Sequence, residues 1–523
     1  MTVSRRVFMQ QLGLGALQLG VVSALPAALR AEPLRSIQLP RSTPEAQGVA
    51  SSGILRFVEA IEAGKLNVHS LMVVRHGKVV AEGWWAPYAP TLRHTLYSLS
   101  KSFTSTAVGL AVGEGRLKVT DKVISFFPDD LPATVSPNLA AMRVKDLLTM
   151  STGHEKDTTA RLRESSTWVK SFLSLPVEKE PGSLFVYNSG ATYMLSAIVQ
   201  KLTGQTVLQY LTPRLFRPLG IEGADWEQDP SGINTGGWGL RLKTEDIAKF
   251  GQLYLQKGMW NGKRLISENW IADATRFEVQ SAGGSRPKAE NDWLQGYGYQ
   301  FWRCRHNAYR GDGAYGQYCI VVPEQDLVIA MTSETGNMQA ILDEVWTHIL
   351  PAATTAGPDA RTELKQKLAS LRLPVAEGSA ESPLAEKISG KSFRFDTNEL
   401  QAESISLAFS GKTCQVTWKD KEGAHPVAVG LGSWKEGTTN LSTEPLKLAS
   451  GKIPGETTTR IAASGAWKDA DTFEMTWRFN ETAHYENVTC RFKGDTVEVS
   501  FLRSISILTN TKDTRPVLTG KLV

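Results

Sequence analysis

The sequence predicts a mixed α/β (α+β) protein in which an antiparallel sheet with flanking helices and an inserted helical region precedes a C-terminal all-β domain. Strand-like segments occur at both ends of residues 40–350, with helical segments between them. Residues 384–523 alternate apolar and polar side chains almost throughout. A polar, Pro-bounded stretch at residues 374–383 separates the two regions, which is typical of a linker.

The elements of residues 36–352 follow from local periodicity. Alternation around His76-Gly77 predicts a hairpin over residues 69–85. Apolar spacing predicts helices over residues 98–114, 144–150, 191–202, 207–216, 244–256 and 338–350. Strands are predicted over residues 297–304, 316–322 and 327–332. A further amphipathic helix over residues 352–373 and the linker make up residues 353–383, and residues 384–523 are predicted to form a small barrel or sandwich.

The composition is that of a large, nearly neutral globular protein. The chain has 523 residues, 41% of them hydrophobic and 21% charged, with a formal net charge of +5. This length predicts more than one domain. Because the basic residues form no concentrated face, we expect no nucleic-acid partner. The four cysteines contain no C-x-x-C motif, which argues against a zinc ribbon, and they leave two disulfides and free thiols equally open.

The first 31 residues indicate an export signal. Arg5 and Arg6 precede Phe8, a moderately apolar run and an alanine-rich end. This order is typical of a bacterial twin-arginine signal peptide, with an ordinary secretory signal as the alternative. The apolar run falls short of the roughly 20 residues that span a bilayer. We therefore expect a periplasmic or secreted protein that has no membrane partner once residues 1–31 are removed.

A Ser-x-x-Lys motif is the first candidate for chemistry. Ser98 and Lys101 lie at the start of a predicted helix, and their spacing places both side chains on one helical face. The Ser98 backbone N–H at the helix N-terminus could stabilise an oxyanion. A lysine buried beside a serine can lose its proton near neutral pH and act as a base. A second match at residues 285–288 contains Pro287, which disfavours a helix, and we assign it no role.

Further motifs follow in an order that resembles the serine β-lactamase-related superfamily. They are YSLSKSFTS from Tyr97, DLLTMSTGH from Asp146, PGSLFVYNSG from Pro181 and GGWGLRLKTEDIAKFG from Gly236. The superfamily includes class C β-lactamases, D,D-peptidases, esterases of the same fold and 6-aminohexanoate-dimer hydrolases. The resemblance covers residues 40–350 and implies a β-lactamase/transpeptidase-like fold. It also implies a serine hydrolase without a cofactor.

The resemblance implies a role for each matching residue. Ser98 matches the acylated nucleophile, Lys101 its partner, and Tyr187 the tyrosine that passes a proton to the leaving group. Ser189 stands where most relatives have asparagine, and its hydroxyl offers fewer donors than an amide. His154 and His306 flank this site without metal-ligand spacing, so no metal is expected.

The Lys-Thr-Gly motif of the family is altered in this sequence. Gly311, Asp312 and Gly313 stand where Lys-Thr-Gly or His-x-Gly is usual, so the cation is missing. The Ala314 N–H would be the second oxyanion donor beside that of Ser98. Arg310 is one residue too early and should face the other side of the strand. We expect Asp312, Gly313 and Ser189 to contact substrate. An unpaired Asp312 would repel the carboxylate of a β-lactam and favour neutral or ammonium-bearing substrates, whereas pairing with Arg310 would cancel this effect.

These observations predict an exported serine hydrolase that acts through a Ser98 acyl-enzyme on a small ester, amide or peptide-like substrate. One alternative is a cell-wall D,D-peptidase or a protein that hydrolyses or binds β-lactams, which would have to recognise a substrate carboxylate. Another is a non-catalytic binding protein. The intact set of Ser98, Lys101 and Tyr187 argues against the latter.

Overall fold

The protein is described by a computed structural model that covers residues 38–441 and 453–523, within one compact unit, Ser36–Val523. The signal peptide predicted for residues 1–31 lies outside the described residues. Within the described residues, no helix is long and apolar enough to cross a bilayer.

A six-stranded antiparallel sheet forms the centre of the first region. The strands of this region are β1 (Val68–Arg75), β2 (Lys78–Trp84), β3 (His94–Thr95), β4 (Asp225–Trp226), β5 (Leu240–Leu242), β6 (Met259–Trp260), β7 (Lys263–Arg264), β8 (Trp302–Arg303), β9 (Tyr309–Gly313), β10 (Gln317–Val322) and β11 (Leu327–Ser333). The order in the central sheet is β2-β1-β11-β10-β9-β8. Its hairpin β1–β2 comes from the start of the region and its other four strands come from the end. This confirms the predicted sheet built from distant parts of the chain.

Helices cover both faces of the central sheet. They are α1 (Ser51–Ala63), α2 (Ser100–Gly113), α3 (Pro137–Ala141), α4 (Val144–Leu148), α5 (Thr159–Arg163), α6 (Trp168–Ser174), α7 (Ser189–Thr203), α8 (Val207–Leu211), α9 (Arg217–Leu219), α10 (Thr244–Leu255), α11 (Glu268–Thr275), α12 (Met338–Glu344), α13 (Leu350–Ala352) and α14 (Arg361–Ala369). Alternation along β1 explains the two layers, because Met72 and Val74 pack into one apolar cluster, whereas Leu71 and Val73 pack into the other. Helices α2, α7 and α10 lie on the first side, and α1 and α12 lie on the second.

Two predicted elements are shorter in the structure. The helix expected over residues 352–373 is confined to α14, because Gly357-Pro358 interrupts the pattern and proline cannot continue a helix. The strand expected over residues 297–304 is reduced to β8. Gly296 (φ 111°) and Gln300 (φ 65°) bend the chain out of the extended conformation just before it.

The C-terminal region is a closed barrel of nine strands with one further strand attached. Its strands are β12 (Lys391–Phe395), β13 (Ala402–Ser410), β14 (Thr413–Asp420), β15 (Gly423–Leu431), β16 (Lys435–Thr439), β17 (Thr459–Trp467), β18 (Thr472–Arg478), β19 (Tyr485–Lys493), β20 (Thr496–Arg503) and β21 (Leu518–Leu522). Helices α15 (Pro383–Ile388) and α16 (Ser504–Thr509) accompany them. A parallel pairing of β15 with β17 closes the barrel, and β16 pairs antiparallel with the preceding part of the same β17 edge. The all-β prediction is confirmed, and of its two forms the barrel is correct.

The segment predicted as a linker is bound to the barrel. The Ala376 N–H donates to Ser464 Oγ at 3.0 Å, and Ser379 and Trp467 exchange two backbone hydrogen bonds of 2.9 and 2.8 Å.

The four cysteines are buried free thiols: Cys304, Cys319, Cys414 and Cys490. Of the two possibilities that the sequence left open, disulfides and free thiols, the structure shows free thiols.

We predict that the two regions unfold together. Arg93 pairs with Glu481 at 2.9 Å and Arg241 with Glu456 at 2.7 Å, and both pairs join the first region to the barrel. Separation would break both pairs and leave the buried carboxylate of Glu481 without Arg93. Differential scanning calorimetry of the full chain should therefore show one transition with equal calorimetric and van't Hoff enthalpies. Two resolved transitions would contradict this prediction.

Candidate active site

The nucleophile candidate lies in a sharp turn before α2. Ser98 belongs to the 3₁₀ turn Tyr97–Leu99, which continues directly into α2, and its side chain is partly exposed. Tyr97 has a φ of 45°, which is a left-handed conformation that aromatic residues rarely adopt. N–H groups in a first helical turn have no intrahelical acceptor, so the Ser98 N–H is in a position to bind an anion.

Lys101 reaches three oxygen atoms. Its Nζ lies 3.0 Å from Ser98 Oγ, 2.9 Å from Ser189 Oγ and 2.8 Å from the Gly237 carbonyl oxygen. A neutral amine has two N–H donors and one lone pair. It can therefore donate to Gly237 and Ser189 and still accept the proton of Ser98.

Burial changes the charge of this amine. Lys101 is only 1% exposed, and the loss of hydration lowers its pKa to about 7, although the negative charges of Asp157 and Asp312 act in the opposite direction. A large fraction of the molecules therefore carries a neutral Lys101 at neutral pH. This is the protonation state that a general base requires.

Tyr187 lies beside Ser98, and its hydroxyl is protonated. Its ring stacks on Trp302 with centroids 5.3 Å apart, and Lys101 Nζ lies 4.8 Å from its ring centre. Burial, followed by the charge of Asp312, raises the pKa of Tyr187 well above its usual range, while a hydrogen bond with Ser98 acts in the opposite direction. Tyr187 therefore keeps its proton at neutral pH and can pass it on, whereas Lys101 is the group able to accept one.

The two residues after Tyr187 have different tasks. Asn188 caps α7, since its Oδ1 accepts from the Gly190 N–H at 3.0 Å and from Thr158 Oγ1 at 2.8 Å. Ser189 carries the hydroxyl that contacts Lys101. The structure thus places Ser189 within the predicted site, against the amine, and contact with substrate remains a prediction.

The end of β9 comes very close to the nucleophile turn. A methyl group on Gly313 would lie 2.0 Å from the Leu96 carbonyl oxygen, so only glycine permits this approach. The Ala314 carbonyl accepts from Gln317 Nε2 at 2.9 Å, which fixes the following turn. The structure therefore brings Ala314 next to the segment that carries Ser98, and the role of its N–H as an oxyanion donor remains a prediction.

Steric crowding accompanies the missing cation of the altered Lys-Thr-Gly motif. A methyl group on Gly311 would lie 2.5 Å from Leu99 Cδ1 and 2.6 Å from Ser102 Oγ, so lysine or histidine at this position would require both side chains to move. Arg310 and Asp312, two residues apart on β9, lie on the other face of the strand and form an ion pair of 2.8 Å. The pairing alternative is therefore the arrangement that the structure shows, and the charge of Asp312 is largely compensated.

Sequence reasoning missed several neighbours of the site. The Gly237 carbonyl lies in the fourth motif, where only a backbone atom is involved and no side chain gives a signal. Asp157 accepts from the Ser189 N–H at 3.0 Å and faces solvent just beyond the second motif. His154 is buried, with Nδ1 2.9 Å from Thr152 Oγ1, and burial lowers its pKa to about 4, as expected for a structural histidine.

Proteins of similar sequence include one named as a hydrolase and one named as a peptidase. The chain is 26% identical over 288 residues to the 6-aminohexanoate-dimer hydrolase of Paenarthrobacter ureafaciens, covering 50% of this chain and 72% of that protein. It is 25% identical over 190 residues to a “Putative D-alanyl-D-alanine carboxypeptidase” of Salmonella agona, covering 31% of this chain and 44% of that protein. The Salmonella protein is therefore matched over less than half of its length.

A solved structure shows the same fold. The “Putative 6-aminohexanoate-dimer hydrolase from Bacillus anthracis” aligns with a TM-score of 0.51 and 21% identity, over 60% of this chain and 87% of that one. The Beta-lactamase family model matches residues 56–354, which is more than half of the chain. The chain belongs to the Beta-lactamase family of serine hydrolases.

Proposed function

We propose that the protein is an exported serine hydrolase that cleaves small ester or amide substrates through an acyl-enzyme on Ser98. The observation that carries this proposal is the Lys101 amine, buried 3.0 Å from Ser98 Oγ with a pKa of about 7. Export is supported by the sequence Arg5-Arg6 and the apolar run that follows it.

The chemistry follows from the protonation states. Lys101 accepts the Ser98 proton as Oγ attacks the substrate carbonyl, and the N–H groups of Ser98 and Ala314 stabilise the oxyanion. Tyr187 donates its proton to the leaving group as the carbon–heteroatom bond breaks, and the proton held by Lys101 restores the Tyr187 hydroxyl. Water then attacks the acyl-enzyme, with the same groups removing its proton and returning one to Ser98 Oγ.

The charges near the site favour neutral or ammonium-bearing substrates. Arg310 is the basic residue of β9. Because it is buried and paired with Asp312, it is poorly placed to bind a substrate carboxylate. Asp157 is exposed and close enough to influence Lys101. This arrangement supports a hydrolase of small esters or amides over a peptidase that recognises a substrate carboxylate. The name of the 6-aminohexanoate-dimer hydrolase relative supports an amide substrate.

The first prediction of the proposed function tests the nucleophile. A fluorophosphonate ester should form one covalent adduct per chain, on Ser98, and Ser98→Ala should form none. Ser285→Ala is the matched control, since residues 285–288 repeat the Ser-x-x-Lys spacing in a loop. Peptide mass spectrometry locates the adduct. A folded wild-type protein without an adduct on Ser98 would end the proposal.

The second prediction concerns pH. Because Lys101 must be neutral to accept a proton, kcat/KM for a neutral p-nitrophenyl ester should rise about tenfold per pH unit below pH 7 and level off above it. Protonation of Lys101 below this pKa removes the base. A rate that is flat from pH 5 to 9, or one that rises with a midpoint near 10, would contradict a depressed lysine pKa.

The third prediction concerns substrate charge. Asp157→Asn should lower kcat/KM for an ammonium-bearing anilide by about three- to tenfold relative to a neutral one, as expected from roughly 1 kcal/mol between surface charges. Glu155→Gln is the control, because Glu155 is exposed two residues away and pairs with Lys179 at 3.1 Å. If the ratio of kcat/KM for the two anilides is the same in the wild type, Asp157→Asn and Glu155→Gln, Asp157 has no part in substrate selection.

A further inference from the structure

A buried loop of the barrel reaches the segment that carries the nucleophile. Residues 480–484, here the 480–484 loop, connect β18 to β19 and are all buried. The Glu481 carbonyl accepts from the Thr95 N–H at 3.0 Å, and its side chain pairs with Arg93 at 2.9 Å. The Tyr88 hydroxyl donates to the Thr482 carbonyl at 3.1 Å. The loop is therefore fixed to the residues just before Ser98.

His484 is the residue of this loop that comes nearest to the nucleophile turn. The ring is 2% exposed, with Nε2 2.7 Å from Tyr97 Oη and Nδ1 2.6 Å from Glu334 Oε1. A carboxylate only accepts, so Nδ1 carries the proton toward Glu334 and Nε2 accepts from the Tyr97 hydroxyl. Burial keeps this hydroxyl protonated by raising the Tyr97 pKa well above its usual range. The Ser504 hydroxyl also donates to Glu334 and fixes the carboxylate.

The same histidine contacts the other side of the proposed oxyanion hole. Tyr315 meets the His484 ring edge-on, with centroids 4.9 Å apart, and meets the Tyr97 ring at 5.6 Å. Tyr97 directly precedes Ser98, and Tyr315 directly follows Ala314. One imidazole therefore touches the neighbours of both proposed N–H donors.

Both tyrosines need such support. Tyr97 has a φ of 45° and Tyr315 a φ of 67°, and residues with a side chain keep left-handed conformations only where their surroundings hold them. The Tyr315 carbonyl accepts from Ser333 Oγ at 2.6 Å and from the Thr335 N–H at 3.0 Å. These donors flank Glu334, so one short segment orients both the tyrosine and the histidine.

We propose that His484 is a positioning residue that fixes the spacing and direction of the two oxyanion donors, and that the barrel thereby completes the active site. This inference rests on the proposed function, because it assumes that Ser98 is acylated. His484 acts through Tyr97 and Tyr315 and does not touch the reacting atoms. Its loss should therefore affect the transition state more than substrate binding.

Three substitutions in the full chain test this role. Tyr97→Phe removes only the hydroxyl. His484→Asn keeps an amide near the Nδ1 position and loses the contact with Tyr97, whereas the longer amide of His484→Gln can reach the position of Nε2. His425→Asn is the matched control. His425 is a buried histidine of the same barrel, with Nε2 2.8 Å from Asp420 Oδ1, and lies far along the chain from the 480–484 loop.

The readouts are kcat and KM for a neutral p-nitrophenyl ester, the rate of fluorophosphonate labelling at Ser98, and the melting temperature. Tyr97→Phe and His484→Asn should lower kcat and the labelling rate about ten- to a hundredfold while KM stays within about twofold, as for a weakened oxyanion donor. His484→Gln should recover most of the rate. His425→Asn should lower only the melting temperature.

The possible results distinguish the positioning role of His484 from the acylation of Ser98. If either Tyr97→Phe or His484→Asn folds and acylates within about twofold of the wild type, the positioning role is refuted while Ser98 remains the nucleophile. If His484→Asn does not fold, Tyr97→Phe decides, because it changes a single atom. If wild-type Ser98 is not labelled, the proposed function fails, and the role of His484 fails with it.

Discussion

The site depends on the burial of one amine. Lys101 is removed from water, and this desolvation lowers its pKa to about 7, while oxygens of Ser98, Ser189 and Gly237 hold the amine in place. Each oxygen comes from a different element: the nucleophile turn, the start of α7 and the loop before β5. The packing of these elements therefore determines the protonation state on which the chemistry relies.

Close packing around β9 imposes a second constraint. Gly311 and Gly313 let the strand touch α2 and the nucleophile turn, and a longer side chain at Gly311 would require Leu99 and Ser102 to move. Arg310 lies on the other face, where it is buried over Trp293 and paired with Asp312. The packing that brings Ala314 next to the nucleophile turn thus also leaves this side of β9 without a cation.

Local patterns predicted much of this architecture. The spacing of Ser98 and Lys101 placed both side chains on one helical face, and apolar spacing predicted α2. The resemblance to a family added Tyr187 and Ser189, whose positions depend on contacts that periodicity does not reveal. The contact between His484 and Tyr97 joins residues almost four hundred positions apart, and a single sequence has no signal for it. Alternation along β9 also left open whether Arg310 pairs with Asp312. It predicts the face on which each side chain lies but not the direction in which the side chain points.

The most direct measurement of the central claim is the ionisation of Lys101 itself. In protein labelled with ¹³C at the lysine ε-carbons, the Lys101 signal can be assigned by its loss in Lys101→Arg and followed by NMR as the pH is raised. We expect an apparent pKa near 7 in the folded protein, well below the value of about 10.4 typical of lysine. A Lys101 signal that titrates together with the exposed lysines would contradict it.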